Sequence, residues 1–161
     1  MKSYYACLDC AFVKYAPQPL QHLAVANKAS KQGGEVSFYT LEDFDTLTNQ
    51  GAAKSKLAEK PRVDGLIFFT IRQFFYGGLH MDFLQYILDQ GYEVHFARED
   101  ISINTKEALD EMFPMIYSSY QLMQRDEPRD YWKPVWDDLD NIPDYKACHS
   151  LDTGRPSLNS K

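Results

Sequence analysis

Long apolar segments are missing from this sequence. The longest apolar run covers residues 65–71, which is far too short to cross a bilayer. The first residues run directly into a strand-like segment, without the basic region and apolar stretch of a signal peptide. These two absences lead us to expect a cytoplasmic protein that does not associate with a membrane.

Cysteine and histidine are also scarce. The chain has three cysteines, and an odd number in a reducing compartment predicts thiols rather than a disulfide framework. The pair Cys7 and Cys10 has no second pair of that spacing and no cluster of histidines beside it, so we expect no metal site. The four histidines are scattered along the chain, at His22, His80, His95 and His149.

Positive charge and phosphate-binding glycine motifs are lacking too. Lysine and arginine number 17 against 23 aspartates and glutamates, which gives a formal net charge of −6. A chain of that charge has no general attraction to a phosphate backbone, so nucleic acid is not an expected partner. The glycine pairs at residues 33–34 and 77–78 fit no dinucleotide- or NTP-binding pattern, and no cofactor is predicted.

The sequence does contain enough apolar side chain for one core. Apolar residues make up 44% of its 161 residues and aromatics 14%, and no interior linker or internal repeat divides it. We therefore expect one α/β domain over residues 1–125. Residues 126–161 form a tail that contains prolines, Trp132 and Trp136, and we expect this tail to pack on the domain or on a partner subunit.

Segments typical of strands alternate with helical segments. Strands are predicted at residues 4–9, 35–40, 63–70 and 92–97. Helices are predicted at residues 20–32, 41–60, 81–90 and 105–124. Thr105 is the expected N-cap of the last helix, which Pro114 would kink or split. The predicted fold is a Rossmann-like, short and mostly parallel sheet of about four strands with flanking helices, a long C-terminal helix and an aromatic tail.

Open α/β sheets bind ligands beyond the carboxyl ends of their strands, so the polar residues there form the candidate site. As catalytic residues we expect Arg72, after the third strand, and Glu99, after the fourth. The expected substrate-binding residues follow the strands or begin the first helix: Asp9, Cys10, Gln21, His22, Gln73, Ser102 and Asn104.

Structural roles fit some of these residues equally well. Arg72 is suited to a carboxylate or phosphate, but it is also placed to pair with Glu99 or Asp100 and join two strands. Glu99 is suited to general base catalysis, but it also suits a solvated position or a helix cap. Cys10 is a candidate nucleophile with no base beside it in the sequence.

The order of the predicted elements and the segment Tyr-Glu-Val-His-Phe-Ala-Arg-Glu-Asp-Ile-Ser at residues 92–102 are similar to the catalytic domain of serine recombinases. In that family a serine at the end of the first strand attacks DNA, supported by several arginines. Here Asp9 stands at the matching place, Cys7 replaces the arginine before the serine, and Arg72 is what remains of the arginine cluster. The resemblance implies a resolvase-like fold without the nucleophilic serine.

A closer resemblance is to the sporadic carbohydrate cluster proteins, small bacterial proteins encoded among surface-polysaccharide and O-antigen genes. Four segments within about the first 125 residues carry it: Met-Lys-Ser-Tyr at the start, Gln21-His22, residues 63–68 with Gln73, and residues 95–103. The resemblance implies a role in lipopolysaccharide or capsule sugar biosynthesis.

Three functions follow from these observations. The leading hypothesis is a cytoplasmic protein that binds or modifies an activated sugar, or a related anionic intermediate, of a surface glycan. Arg72 and Gln73 would then contact the anionic or polar part of this ligand, with Glu99 and Ser102 at its hydroxyls. The alternative is a non-catalytic interaction module for a glycan biosynthetic enzyme. A DNA-processing function is disfavoured by the negative charge and by Asp9.

Apolar stripes are expected on two helices. In the first helix the stripe consists of Leu20, Leu23, Ala24, Asn27 and Lys28. In the last helix it consists of Leu109, Met112, Phe113, Ile116 and Tyr120. The second stripe predicts a homodimer interface or, alternatively, a helix face that covers the domain's own sheet.

Overall fold

The computed structural model describes residues 1–42, 51–59 and 62–126. Within these ranges the strands are β1 (Lys2–Asp9), β2 (Gly34–Glu42), β3 (Gly65–Phe68), β4 (Glu93–Phe96) and β5 (Ile101–Ile103). The helices are α1 (Gln18–Lys31), α2 (Gly51–Ala58), α3 (Met81–Asp89) and α4 (Lys106–Asp126), with a 3-10 helix at Ile71–Phe74.

The strands form one sheet in the order β2-β1-β3-β4-β5. The first four strands pair in parallel, and β5 pairs antiparallel with β4. The predicted α/β fold with a mostly parallel sheet is therefore confirmed, and β5 is a strand that the sequence pattern did not predict. The chain reverses just before β5, where Asp100 has a φ of 55°, a left-handed conformation that aspartate tolerates better than most residues.

The two faces of the sheet are covered by different helices because successive side chains of a strand alternate between faces. On one face, Tyr4, Ala6 and Leu8 of β1 join Val25 and Ala29 of α1 in a buried cluster. On the other face the ring of Phe68 contacts Phe74, and the ring of Phe74 stacks on Phe83 of α3 at 5.8 Å between centroids.

The strand order of this sheet contains one reversal of direction. From β1 the chain crosses outward to β2, and it then returns to β3 on the other side of β1. The strand order therefore reverses between β1 and β3. In doubly wound α/β sheets, ligands bind beyond the carboxyl ends of the strands at such a reversal.

The buried face of α1 differs from the predicted stripe. Leu20 and Leu23 are 52% and 58% exposed. The buried residues are Gln21, Val25, Lys28 and Ala29, so Lys28 is buried as the stripe predicts. Ala24 of the stripe is partly buried against the core. Burial of a glutamine and a lysine here reflects polar partners contributed by other elements, and these partners do not show in the local pattern.

The last helix follows its predicted start and continues through its proline. The Thr105 hydroxyl accepts a hydrogen bond from the backbone N–H of Ala108 at 3.1 Å, which confirms the N-cap. Pro114 lies inside α4, and the helix is not split there. Of the predicted stripe, Leu109 and Ile116 are buried and Phe113 is 42% exposed.

The chain divides into two units, Met1–Tyr120 and Gln121–Lys161. The predicted aromatic tail at residues 126–161 falls almost entirely outside the described residues. Every residue named as a candidate for the functional site belongs to the first unit.

We expect Gly65→Ala to destabilise the sheet. A Cβ atom at this position would lie 2.5 Å from the backbone oxygen of Glu93 and 2.8 Å from its Cβ, so β3 and β4 would have to separate. Overpacking of this kind costs about 1–3 kcal/mol, which lowers the melting temperature by roughly 2–4 °C per kcal/mol. Thermal melting followed by circular dichroism measures the change.

The control for this substitution is Gly33→Ala. An added Cβ there meets no atom within 4 Å, but the φ of +75° makes the residue strained, at a cost of about 1 kcal/mol. A Gly65→Ala protein that melts at or above the temperature of the Gly33→Ala protein would contradict the close approach of β3 and β4.

Candidate functional site

Asp9 ends β1 at the edge of the sheet where the strand order reverses. The residue is 1% exposed, and its carboxylate accepts hydrogen bonds from the backbone N–H of Ala11 at 2.9 Å and from the hydroxyl of Tyr76 at 2.8 Å. Tyr76 follows the 3-10 helix, so this contact joins the segment after β1 to the segment after β3. The structure thus brings the two strand ends together through one buried carboxyl group.

The surroundings of Asp9 favour the neutral carboxyl group. Burial raises its pKa to about 6, against opposing contributions from the Tyr76 hydrogen bond, the backbone N–H groups of Ala11 and Phe12, and the positive charge of Arg72. A carboxyl group that changes charge near neutral pH is typical of functional sites.

Gln21 holds the loop between β1 and α1. Its side chain is fully buried and accepts a hydrogen bond from the backbone N–H of Asp9 at 2.7 Å. It also donates to the backbone oxygens of Asp9 at 3.0 Å and Ala16 at 2.9 Å. These bonds satisfy backbone groups at both ends of the loop, so Gln21 positions Asp9. The neighbouring His22 points elsewhere, with its ring 4.4 Å from the ring of Tyr39 on β2.

Gln73 joins the ends of β1 and β3 in the same way. Its carboxamide oxygen accepts from the backbone N–H of Thr70 at 3.0 Å, and its nitrogen donates to the backbone oxygen of Cys7 at 3.2 Å. The first bond is half of a capping box that begins the 3-10 helix. Gln73 is fully buried, and its two hydrogen bonds hold backbone groups at the ends of β1 and β3 in place.

Glu99 caps the same 3-10 helix from the segment after β4. Its carboxylate accepts hydrogen bonds from the Thr70 hydroxyl at 2.6 Å and from the backbone N–H of Ile71 at 3.1 Å. The Arg98 guanidinium lies 3.8 Å from the same carboxylate. The cap expected for Glu99 was on the helix that follows it, whereas Glu99 caps the 3-10 helix that precedes it in the chain. Asp100, the other proposed partner of Arg72, pairs with Lys28 and Lys31.

Two guanidinium groups lie over the ring of Phe12. Arg72 comes from the 3-10 helix and Arg98 from the segment after β4, at 5.5 Å and 4.9 Å from the ring centroid. Phe12 itself lies in the loop after β1 and packs on Phe69. A cation–π contact of this kind attracts each guanidinium group to the face of the ring.

Phe12, Tyr76 and Arg98 are therefore members of this cluster that the sequence did not single out. Arg98 directly precedes Glu99 at the end of a predicted strand, and this position could have identified it from the sequence. Phe12 and Tyr76 carry no comparable signal, because both lie in loops and reach the cluster only through the fold. Cys10 is exposed beside Asp9, at the same edge of the sheet.

Ser102 and Asn104 lie away from this cluster. Ser102 pairs with His95 in the β4–β5 ladder, and its hydroxyl is 2.8 Å from the Nδ1 atom of His95. Asn104 follows β5, which runs antiparallel to β4, so it lies at the amino ends of the parallel strands. The sequence places both residues at the carboxyl ends of the strands only if the chain remains at that edge after β4. The chain instead reverses at Asp100, and β5 carries both residues away from that edge.

Comparison of the chain with protein families, with curated proteins and with solved structures gives no match. The function is therefore argued from the residues of the cluster. In the described part of the chain, no helix is long and apolar enough to cross a membrane. The same residues hold no group of three or more histidine, cysteine, aspartate or glutamate side chains placed to bind a metal ion.

We expect Glu99→Ala to lower stability, because the substitution leaves the Ile71 N–H and the Thr70 hydroxyl without their acceptor. Loss of a partner for buried donors costs about 1–3 kcal/mol. Thermal melting of the purified protein measures the loss, with Glu111→Ala, an exposed glutamate of α4, as the control. Melting unchanged from the wild type would mean that the cap contributes nothing.

Proposed function

We propose that this protein binds an activated sugar or a related anionic intermediate at the carboxyl ends of β1, β3 and β4. The observation that carries the proposal is the convergence of Arg72 and Arg98 on the Phe12 ring, at the reversal of the strand order. Guanidinium groups are suited to phosphate because they present several donors in a planar fork. An aromatic ring and a carboxyl group beside them are suited to the apolar and hydroxyl surfaces of a sugar.

Hydrogen bonds also link the segments that form the cluster, which favours a preorganised site. Gln21, Gln73 and Glu99 together hold the three segments that carry Phe12, Arg72 and Arg98. A preorganised site loses less conformational entropy on binding, which favours a small ligand with few contacts. Under this proposal Arg72 contacts the ligand, whereas Gln21, Gln73 and Glu99 position the residues that do.

The biological setting that we propose is bacterial surface-polysaccharide biosynthesis in the cytoplasm. It rests on the resemblance to sporadic carbohydrate cluster proteins, which is carried in part by residues 63–68, which include β3, and by residues 95–103, which include Arg98 and Glu99. Phosphorylated and nucleotide-linked sugars are the anionic precursors of such glycans, and they fit the charge of the two arginines.

The test is ligand binding by the full chain, measured by calorimetry with UDP-glucose and glucose 1-phosphate, and with glucose as the uncharged comparison. Arg72→Ala and Arg98→Ala should each weaken binding about 10–100-fold, because each removes charged hydrogen bonds. Arg62→Ala is a matched control, since its guanidinium lies 4.3 Å from the ring centroid of Tyr92 at the opposite edge of the sheet.

Two results would count against the proposal. Failure of the folded wild-type protein to bind either phosphorylated ligand would remove the function. Equal binding by wild type and both arginine variants would mean that the ligand binds at another part of the protein.

The second candidate function is the interaction module, with a homodimer as its simplest form. On α4 the rings of Phe113 and Tyr117 stack at 6.0 Å while remaining 42% and 46% exposed. Exposed aromatic pairs are typical of protein interfaces. Light scattering of the full chain should then show a mass of twice 18.6 kDa that falls to the monomer in Phe113→Ser. A wild-type monomer at micromolar concentration would contradict this candidate's dimeric form.

A further inference from the structure

Asp9 is a buried carboxyl group of the candidate site whose pKa is raised to about 6, and the positive charge of Arg72 acts on it. Its carboxylate binds the Tyr76 hydroxyl and the Ala11 N–H, and its backbone oxygen faces the N–H of Phe12 at 3.4 Å. The Phe12 ring is the surface over which Arg72 and Arg98 lie. The charge of Arg72, which lies over this ring, also acts on the Asp9 carboxyl group.

The groups around this ring and around Asp9 come from several segments. The segments after β3 and β4 supply the charged Arg72, Arg98 and Glu99 and the hydroxyl of Tyr76, and α1 supplies the uncharged Gln21. The β1–α1 loop adds Lys14, whose ammonium lies 4.8 Å from the ring centroid of Tyr15, and that ring is 5.2 Å from the Phe12 ring.

The sum of these charges depends on Asp9. With both carboxyl groups ionised, Asp9 and Glu99 balance the charges of Arg72 and Arg98. Protonation of Asp9 raises the net charge of this group of four by one.

We propose that Asp9 matches this site to a doubly charged anion by taking up a proton when the anion binds. This inference rests on the anion-binding function proposed above, and it assigns Asp9 a role in selecting the charge of the ligand. The bond that forms is the O–H bond of the Asp9 carboxyl group, and the proton comes from the buffer.

The direction of this coupling follows from the charges. Arg72 lowers the pKa of Asp9 in the unliganded protein, and a bound anion screens that charge and adds a negative one. Both effects raise the pKa of Asp9 above its unliganded value of about 6. By linkage, a ligand that raises a pKa binds more tightly as the pH falls through that range.

Sulfate and UDP-glucose are the probes for this test. Both carry two negative charges that stay constant between about pH 5 and about pH 8, whereas a phosphate monoester titrates near pH 6 and would obscure the protein's own proton. Calorimetry in two buffers of different ionisation enthalpy counts the protons taken up per ligand bound. For a rise of one pKa unit, we expect about half a proton near pH 6.5 and about tenfold weaker binding from about pH 5 to about pH 8.

Two variants identify Asp9 as the group that takes up the proton. Asp9→Asn keeps an acceptor for Ala11 but cannot ionise, so it should take up no proton and show a flat pH profile. Tyr76→Phe removes a hydrogen bond that lowers the pKa of Asp9, so the fall in affinity should move to higher pH. Tyr92→Phe, whose hydroxyl donates to Leu57 on another part of the protein, should leave the profile unchanged.

The outcomes separate this inference from the function on which it rests. No binding of either probe at any pH overturns both. Binding by the wild type without proton uptake, or with a pH profile that Tyr76→Phe does not move, overturns the role of Asp9 and leaves anion binding intact. Proton uptake that persists in a folded Asp9→Asn protein assigns the proton to another group and also overturns the inference.

Discussion

The ends of β1 and β3 lie inside the protein, and their backbone groups need partners that water does not supply. Two fully buried glutamines meet this constraint, Gln21 at the end of β1 and Gln73 between the ends of β1 and β3. A buried backbone group without a partner costs about 1–3 kcal/mol, so these side chains determine the path of both loops. Phe12, Arg72 and the rest of the candidate site depend on those paths.

The two carboxyl groups at this edge have different surroundings and therefore different chemistry. Glu99 accepts hydrogen bonds from the Thr70 hydroxyl and the Ile71 N–H, and so it caps the 3-10 helix. Asp9 is more deeply buried, and desolvation raises its pKa to about 6 despite the hydrogen bond from Tyr76. Carboxyl groups whose pKa is raised by burial are common where a side chain exchanges a proton. Asp9, which the sequence predicts only as a substrate-binding residue, therefore becomes a candidate for proton exchange.

The opposite edge of the sheet holds a second network of polar residues. Glu93 accepts hydrogen bonds from the Tyr4 hydroxyl at 2.9 Å and pairs with Lys2, and it lies 3.2 Å from His95. Burial lowers the pKa of His95, and the hydrogen bond that His95 makes to the Glu93 carboxylate opposes this effect only in part. Ser102 belongs to this network through its contact with His95, so its partner lies away from the candidate site although Ser102 is close to Glu99 in the sequence.

The amino-acid sequence by itself determined the alternation of strands and helices, the apolar β3, the Thr105 cap and the delivery of Asp9 and Arg72 to strand ends. These features depend on residues close in sequence, whose periodicity and capping chemistry are local. Tertiary structure alone decided the reversal into β5, the buried face of α1 and the roles of Gln73 and Glu99. The Gln73 bond to β1 spans 66 residues and the Glu99 cap 28, so no local pattern encodes them. Such bonds form only when distant segments meet and buried polar groups must be satisfied.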